Sequence, residues 1–196
     1  MDKKVYCGAM LLASIVSTGC AEQKKVDEQK PNIIYFLVDD MGMGDLSLTG
    51  QKKYETPNID KLAADGMLFT NHYCGTTVSG PSRACLMTGK HTGHTSVRGN
   101  QPGPQLLGDN EATLASVLKG AGYKTAIIGK WGIGHPIPLD DPQRKGFDLS
   151  YGYLNMWHAH NCFPEFLYRN GVKEELTGNK LALAEDGTNP WADMPE

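Results

Sequence analysis

Clustered positive charge is missing from almost all of this chain. Its formal net charge is −3, and past the first few residues there is no block of Lys and Arg. That excludes nucleic acid as the main partner, because a phosphate backbone is gripped by grouped cations. Cysteine is also scarce, with five in all. Cys7 falls in the N-terminal leader and Cys20 directly after it; Cys74, Cys85 and Cys162 remain, odd in number and irregular in spacing. They form neither a disulfide framework nor a zinc pattern, and buried free thiols are the expectation. There is no internal repeat, and no apolar run long enough to cross a bilayer as an ordinary helix. The 196 residues suffice for one domain with a real core.

Lys3 and Lys4 precede the apolar stretch Cys7-Gly8-Ala9-Met10-Leu11-Leu12-Ala13-Ser14-Ile15-Val16, which has the layout of an export signal. Ser17-Thr18-Gly19-Cys20 resembles a bacterial lipobox, in which Cys20 would become the lipidated first residue. Ser17 stands where such boxes prefer Leu, and ordinary cleavage beside an incidental cysteine is the competing reading. Residues 21–30, AEQKKVDEQK, are polar without an apolar face and read as a tether. The division expected is a signal peptide over 1–19, a lipidated Cys20 with its tether over 20–30, and a folded part over 31–196. Such a protein is exported to the periplasm or cell surface and held at the membrane by acyl chains.

The folded part opens on Asn32-Ile33-Ile34-Tyr35-Phe36-Leu37-Val38, a continuous apolar run rich in β-formers, stopped by Asp39-Asp40. This suits a central parallel strand covered on both faces. Thr56-Pro57 reads as a helix start, Ile59, Leu62 and Ala63 give helical spacing, and Gly66 ends it. Met67-Leu68-Phe69 reads as the start of another strand. A second pair comes next: a helix over 111–121 closed by Gly122, then a strand over 124–128 running into Gly129-Lys130. Strands alternating with helices imply an α/β fold with a mostly parallel sheet flanked by helices. Asp39, Asp40 and Lys130 then lie at carboxyl ends of strands, where open α/β sheets gather ligands. From 132 to 164 Gly, Pro, His and aromatics dominate, and the last residues carry no stop signal of a finished domain.

Adjacent carboxylates such as Asp39 and Asp40 repel each other and favour a cation or open water; a hard divalent ion takes several oxygens of this kind, while solvated loop acids are the alternative. Ser79-Gly80-Pro81-Ser82-Arg83-Ala84-Cys85-Leu86-Met87-Thr88-Gly89 would set Ser79 at a helix N-terminus, where amides and dipole favour an anion. Arg83 lies one turn on, facing the same way. A serine cap beside a surface arginine is the plainer reading. Trp157-His158-Ala159-His160-Asn161 could line a sugar pocket or form an ordinary exposed loop. His72, His91 and His94 flank the serine segment and read as structural.

The Ser79–Gly89 segment resembles the sulfatase signature, in which a leading Cys or Ser is followed by Pro, Arg, an apolar pair and Thr-Gly. Gly122-Tyr123-Lys124-Thr125-Ala126-Ile127-Ile128-Gly129-Lys130-Trp131 resembles the second signature of that family, and 32–42 and 56–63 resemble its first metal segment and a further familiar stretch. The resemblance runs in order from 31 to about 131. It implies the N-terminal part of an alkaline-phosphatase-like domain. It implies that Ser79 is oxidised by a maturase to formylglycine, the catalytic nucleophile, and that Asp39, Asp40 and modified Ser79 bind calcium. Arg83 and Lys130 would stabilise charge, and the reaction would be hydrolysis of a sulfate ester. The exported, tethered context and the loop bearing Trp157, His158 and His160 make a sulfated carbohydrate the expected substrate. Most sulfatases carry His where this chain has Gly132; His135, and with it His160, are the candidates near the substrate. The family's later metal and catalytic residues are not found before Glu196. The rivals are a phosphatase or phosphodiesterase of the same superfamily, with unmodified Ser79 and two zinc ions, and a non-catalytic glycan-binding lipoprotein.

Overall fold

The computed structural model describes residues 29–100, 107–133 and 141–179. The leader, Cys20 and most of the tether lie outside the described residues, as does His135. The chain divides into two compact units, the first ending at Leu68 and the second starting at Phe69.

In the first unit, helix α1 (Pro57–Asp65) starts at Pro57 and is closed by Gly66, as the sequence leads one to expect. Thr56 does not cap it through its side chain. Its hydroxyl instead donates to Asp60 Oδ1 at 2.8 Å, and Ser47 Oγ donates to Asp60 Oδ2 at 2.6 Å. These bonds, led by Ser47, hold the Asp60 carboxyl below its ordinary range and tie the 3-10 turn Ser47–Thr49 to the helix. The apolar run 32–38 forms no strand, and its large side chains are exposed. The expectation of a central strand is thus not met among the described residues. Backbone groups make a strand only by pairing with a neighbour, and the sheet observed does not include this segment. The strand expected at 67–69 is likewise absent.

The second unit contains helices α2 (Ser79–Thr88) and α3 (Leu114–Gly120) and strands β1 (Ala126–Lys130), β2 (Leu149–Tyr153), β3 (Phe166–Arg169) and β4 (Val172–Glu175). The sheet order is β1-β2-β3-β4, with β1 parallel to β2 and the two later pairs antiparallel. Helix α3 begins three residues later than the sequence suggested. Glu111 is engaged elsewhere, accepting from Gly108 N at 2.8 Å and Ser96 Oγ at 2.7 Å, and Thr113 takes the cap, accepting from Ser116 N at 3.1 Å. Strand β1 lies two residues further on than expected, because its register with β2 runs from Ala126↔Leu149 to Lys130↔Tyr153. Gly152, with φ at 141°, faces Gly129; a Cβ on it would stand 2.1 Å from the Gly129 carbonyl oxygen, so this crossing admits no side chain. The β3–β4 hairpin turns on Asn170-Gly171, both at positive φ, as a two-residue turn between twisted strands requires.

The core consists of Ala84, Val97, Leu107, Ala115, Trp131, Ile133, Phe147 and Leu154. Each is at most 8 % exposed, and the Trp131 indole meets the Phe147 ring edge-on at 6.0 Å. Of the cysteines, Cys85 is buried on α2, but Cys74 and Cys162 are exposed. The expectation of buried thiols holds only for the one on a core-facing helix; the other two sit in connecting segments. Among the described residues no helix is long and apolar enough to cross a membrane.

Candidate active site

Helix α2 buries Gly80, Pro81, Ala84 and Cys85. That choice of face decides what the other side presents. Ser79 is the first helical residue, after Val78 in extended conformation, so its side chain stands where amide groups lack intrahelical acceptors. Arg83, one turn later, donates from Nε to Ser79 Oγ at 3.0 Å. The same guanidinium donates from Nη1 to the Lys130 carbonyl at 2.7 Å. A single planar group therefore joins the helix N-terminus to the carboxyl end of β1.

Lys130 is held in place by the three residues after it. Trp131 is 2 % exposed and Ile133 1 %. Trp131 N donates to Tyr153 O at 2.8 Å and Gly132 N to Leu154 O at 3.3 Å, continuing the β1–β2 ladder past the strand. Gly132 lies between these anchors at φ 63°. Asn100, which the sequence did not single out, fixes the first turn of α2: its Oδ1 accepts from Gly80 N at 2.9 Å. No spacing rule connects it to Gly80, because the contact spans 20 residues of chain.

Ser79, Arg83 and Lys130 are thus brought together. Asp39 and Asp40 form the turn that ends the apolar run in the first unit, both exposed, with Asp40 in the left-handed region at φ 56°. Consecutive aspartates offer the hard oxygens that calcium takes, but fewer than the roughly six to eight it needs. Among the described residues no group of three or more His, Cys, Asp and Glu side chains is placed to hold a metal. His160 is exposed at the end of the 3-10 turn His158–His160, its ring edge-on to Trp157 at 5.9 Å. His158 packs into an aromatic cluster, 4.4 Å from Phe166 and 5.0 Å from Tyr153 between ring centroids. His91 and His94 contact each other edge-on at 6.2 Å.

A serine hydroxyl at a helix N-terminus, beside an arginine that also grips a lysine-bearing strand end, is an arrangement whose charge can favour an anion. The sulfatase family model matches residues 31–188, and the chain belongs to the sulfatase family. It is 41 % identical over 137 residues to human N-acetylgalactosamine-6-sulfatase, covering 65 % of this chain and 26 % of that protein. It is 45 % identical over 123 residues to N-acetylgalactosamine-6-O-sulfatase of Bacteroides thetaiotaomicron, covering 60 % and 24 %. Among solved structures it resembles Ps i-CgsB in complex with k-i-k-neocarrahexaose, at a TM-score of 0.66 and 32 % identity, over 75 % of this chain and 38 % of that one. It also resembles BT33336S-sulf, from work on glycosaminoglycan metabolism by Bacteroides thetaiotaomicron, at 0.64 and 36 %, over 74 % and 32 %. The chain spans about a quarter of the length of these curated relatives. The fold class is that of these alkaline-phosphatase-like enzymes.

Proposed function

We propose that this chain supplies the nucleophile-bearing N-terminal part of an exported sulfatase that removes sulfate from a sulfated carbohydrate. The observation that carries the reading is the Arg83 bridge from Ser79 Oγ to the Lys130 carbonyl at the N-terminus of α2. The carbohydrate rests on the relatives, named for N-acetylgalactosamine sulfates, and on a structural neighbour that holds a neocarrahexaose.

In this reading Ser79 is the residue oxidised to formylglycine. The modified group supplies a nucleophile that can release sulfate again, which a serine ester cannot do by the same route. Arg83 keeps a fixed positive charge against the Ser79 side-chain oxygen and orients it. Lys130 adds a second cation at the strand end, and the N-terminal end of the α2 dipole adds partial charge of the same sign. Together they favour negative charge on the oxygens of a bound ester, a stabilisation that needs no rearrangement when the charge develops. Asp39 and Asp40 would hold calcium together with residues outside the described set, and calcium would supply Lewis acidity. Cys20 carries the lipid anchor, and a maturase is the required partner.

The intact mass of the peptide containing Ser79 tests the assignment. Protein matured in its own host should lack the mass of two hydrogens at Ser79, and Ser79→Ala should reduce sulfate release to background. A peptide with unmodified serine from a fully active preparation would refute it, and zinc in place of calcium in that preparation would favour the phosphatase reading.

A further inference from the structure

Gly132 stands where the resemblance to sulfatases leads one to expect a histidine, and two cationic side chains from elsewhere close over it. What the structure has there is contact. A Cβ built on Gly132 would lie 3.1 Å from Arg83 Cδ, 3.1 Å from Lys130 Cε and 3.2 Å from Lys130 Cγ. Carbon atoms settle at about 3.5–4.0 Å, so the stems of both cations already fill the space a side chain would take. On its other side the Gly132 carbonyl oxygen is 3.6 Å from the point where a Cβ on Gly80 would stand, against the first turn of α2. The backbone cannot retreat to make room. Trp131 and Ile133 are buried on either side, and Gly132 N is committed to Leu154 O.

We infer that Gly132 is a positioning residue for the Arg83–Lys130 pair: the missing side chain lets the two cationic stems converge beside Ser79. This rests on the proposed sulfatase reading, which assigns those cations their task. A methyl group at 132 would displace Arg83 Cδ by a few tenths of an ångström. The Nε bond to Ser79 Oγ starts one atom further along that stem, so the displacement passes directly to the nucleophile. Lys130 would shift with it, while its backbone stays fixed by the register with Tyr153.

Substitution at Gly132 also meets backbone strain, because φ is 63°. Gly50 provides the control. It closes the 3-10 turn Ser47–Thr49 at φ 106°, and a Cβ there would meet nothing within 4 Å. Gly50→Ala therefore carries left-handed strain without the contact. The experiment compares Gly132→Ala, Gly50→Ala and wild type as full-length, host-matured protein. The readouts are the melting temperature, kcat and KM on an aryl sulfate, and the Kd of inorganic sulfate. Both variants should lose thermal stability. Gly132→Ala should lower kcat by about tenfold to a hundredfold, the scale of a small misplacement at a reacting centre, and weaken sulfate binding; Gly50→Ala should change neither. Equal losses in the two variants, or wild-type kcat and sulfate binding in Gly132→Ala, would overturn the inference. If the wild-type protein shows no sulfate-ester turnover at all, the sulfatase reading fails. The sulfate Kd then still decides the inference: selective weakening by Gly132→Ala supports it, and equal affinity in both variants overturns it.

Discussion

Replacing Arg83 by lysine separates its charge from its shape. The guanidinium reaches two acceptors on different elements, Ser79 Oγ at 3.0 Å and the Lys130 carbonyl at 2.7 Å. Lysine keeps a positive charge but concentrates its donors at one atom, on a stem that lacks the planar fork. It can satisfy one of these acceptors in the observed geometry and must release the other. A hydrogen bond to a charged group contributes about 1.5–3 kcal/mol, and each 1.4 kcal/mol of barrier is about a factor of ten in rate. Arg83→Lys should therefore lower kcat/KM by roughly ten- to a hundredfold. Arg83→Ala, which also removes the charge, should fall by about a hundred- to a thousandfold, the range for loss of one preorganised donor. The assay is sulfate release from an aryl sulfate by full-length protein. The extent of Ser79 conversion is measured by mass on the same samples, so that lost maturation is not counted as lost turnover. If Arg83→Lys retains kcat/KM within threefold of wild type at equal conversion, the fork has no role and charge alone matters.

Three further outcomes are expected. The Glu111 side chain is 8 % exposed beside Lys90 Nζ at 2.8 Å; burial opposes its charge, but Lys90, Ser96 and the Gly108 amide outweigh that and hold its carboxyl at about 2, below the ordinary 4.5. Because the folded value is the lower one, this contribution is complete above pH 4.5 and lost as the pH falls towards 2; urea denaturation across that window should show a steeper acid loss for wild type than for Glu111→Gln, and parallel curves would refute the clamp. Asp40→Asn should lower calcium affinity and turnover together, and full activity after exhaustive chelation would exclude the metal role. Cys20→Ala should move the protein from the membrane fraction to the soluble one, since acyl chains supply most of the membrane affinity; unchanged fractionation would point to another anchor.

The candidate cluster was legible because its chemistry is local. Ser79 and Arg83 are a helical turn apart, so their approach follows from helix geometry once Pro81 and the apolar residues behind it define α2. Gly122 follows α3 at φ 86°, a left-handed exit that glycine makes without strain and that a sequence carries by itself, and Asn170-Gly171 held a hairpin signal that periodicity alone passed over. The exposed state of Cys74 and Cys162 was not legible, because burial belongs to the neighbours a residue acquires. Strands behaved the same way. The run 32–38 has every β-forming property, yet whether it becomes a strand depends on a partner from elsewhere in the chain. The placement of Lys130 against Arg83 was decided by a register between β1 and β2, and the role of Gly132 by two side chains that converge on it from different elements. Residue types and short spacings thus determined which groups could act. Only the packing of distant segments decided which of them meet, because a contact across 47 residues, such as Arg83 with Lys130, leaves no periodic trace in the sequence between them.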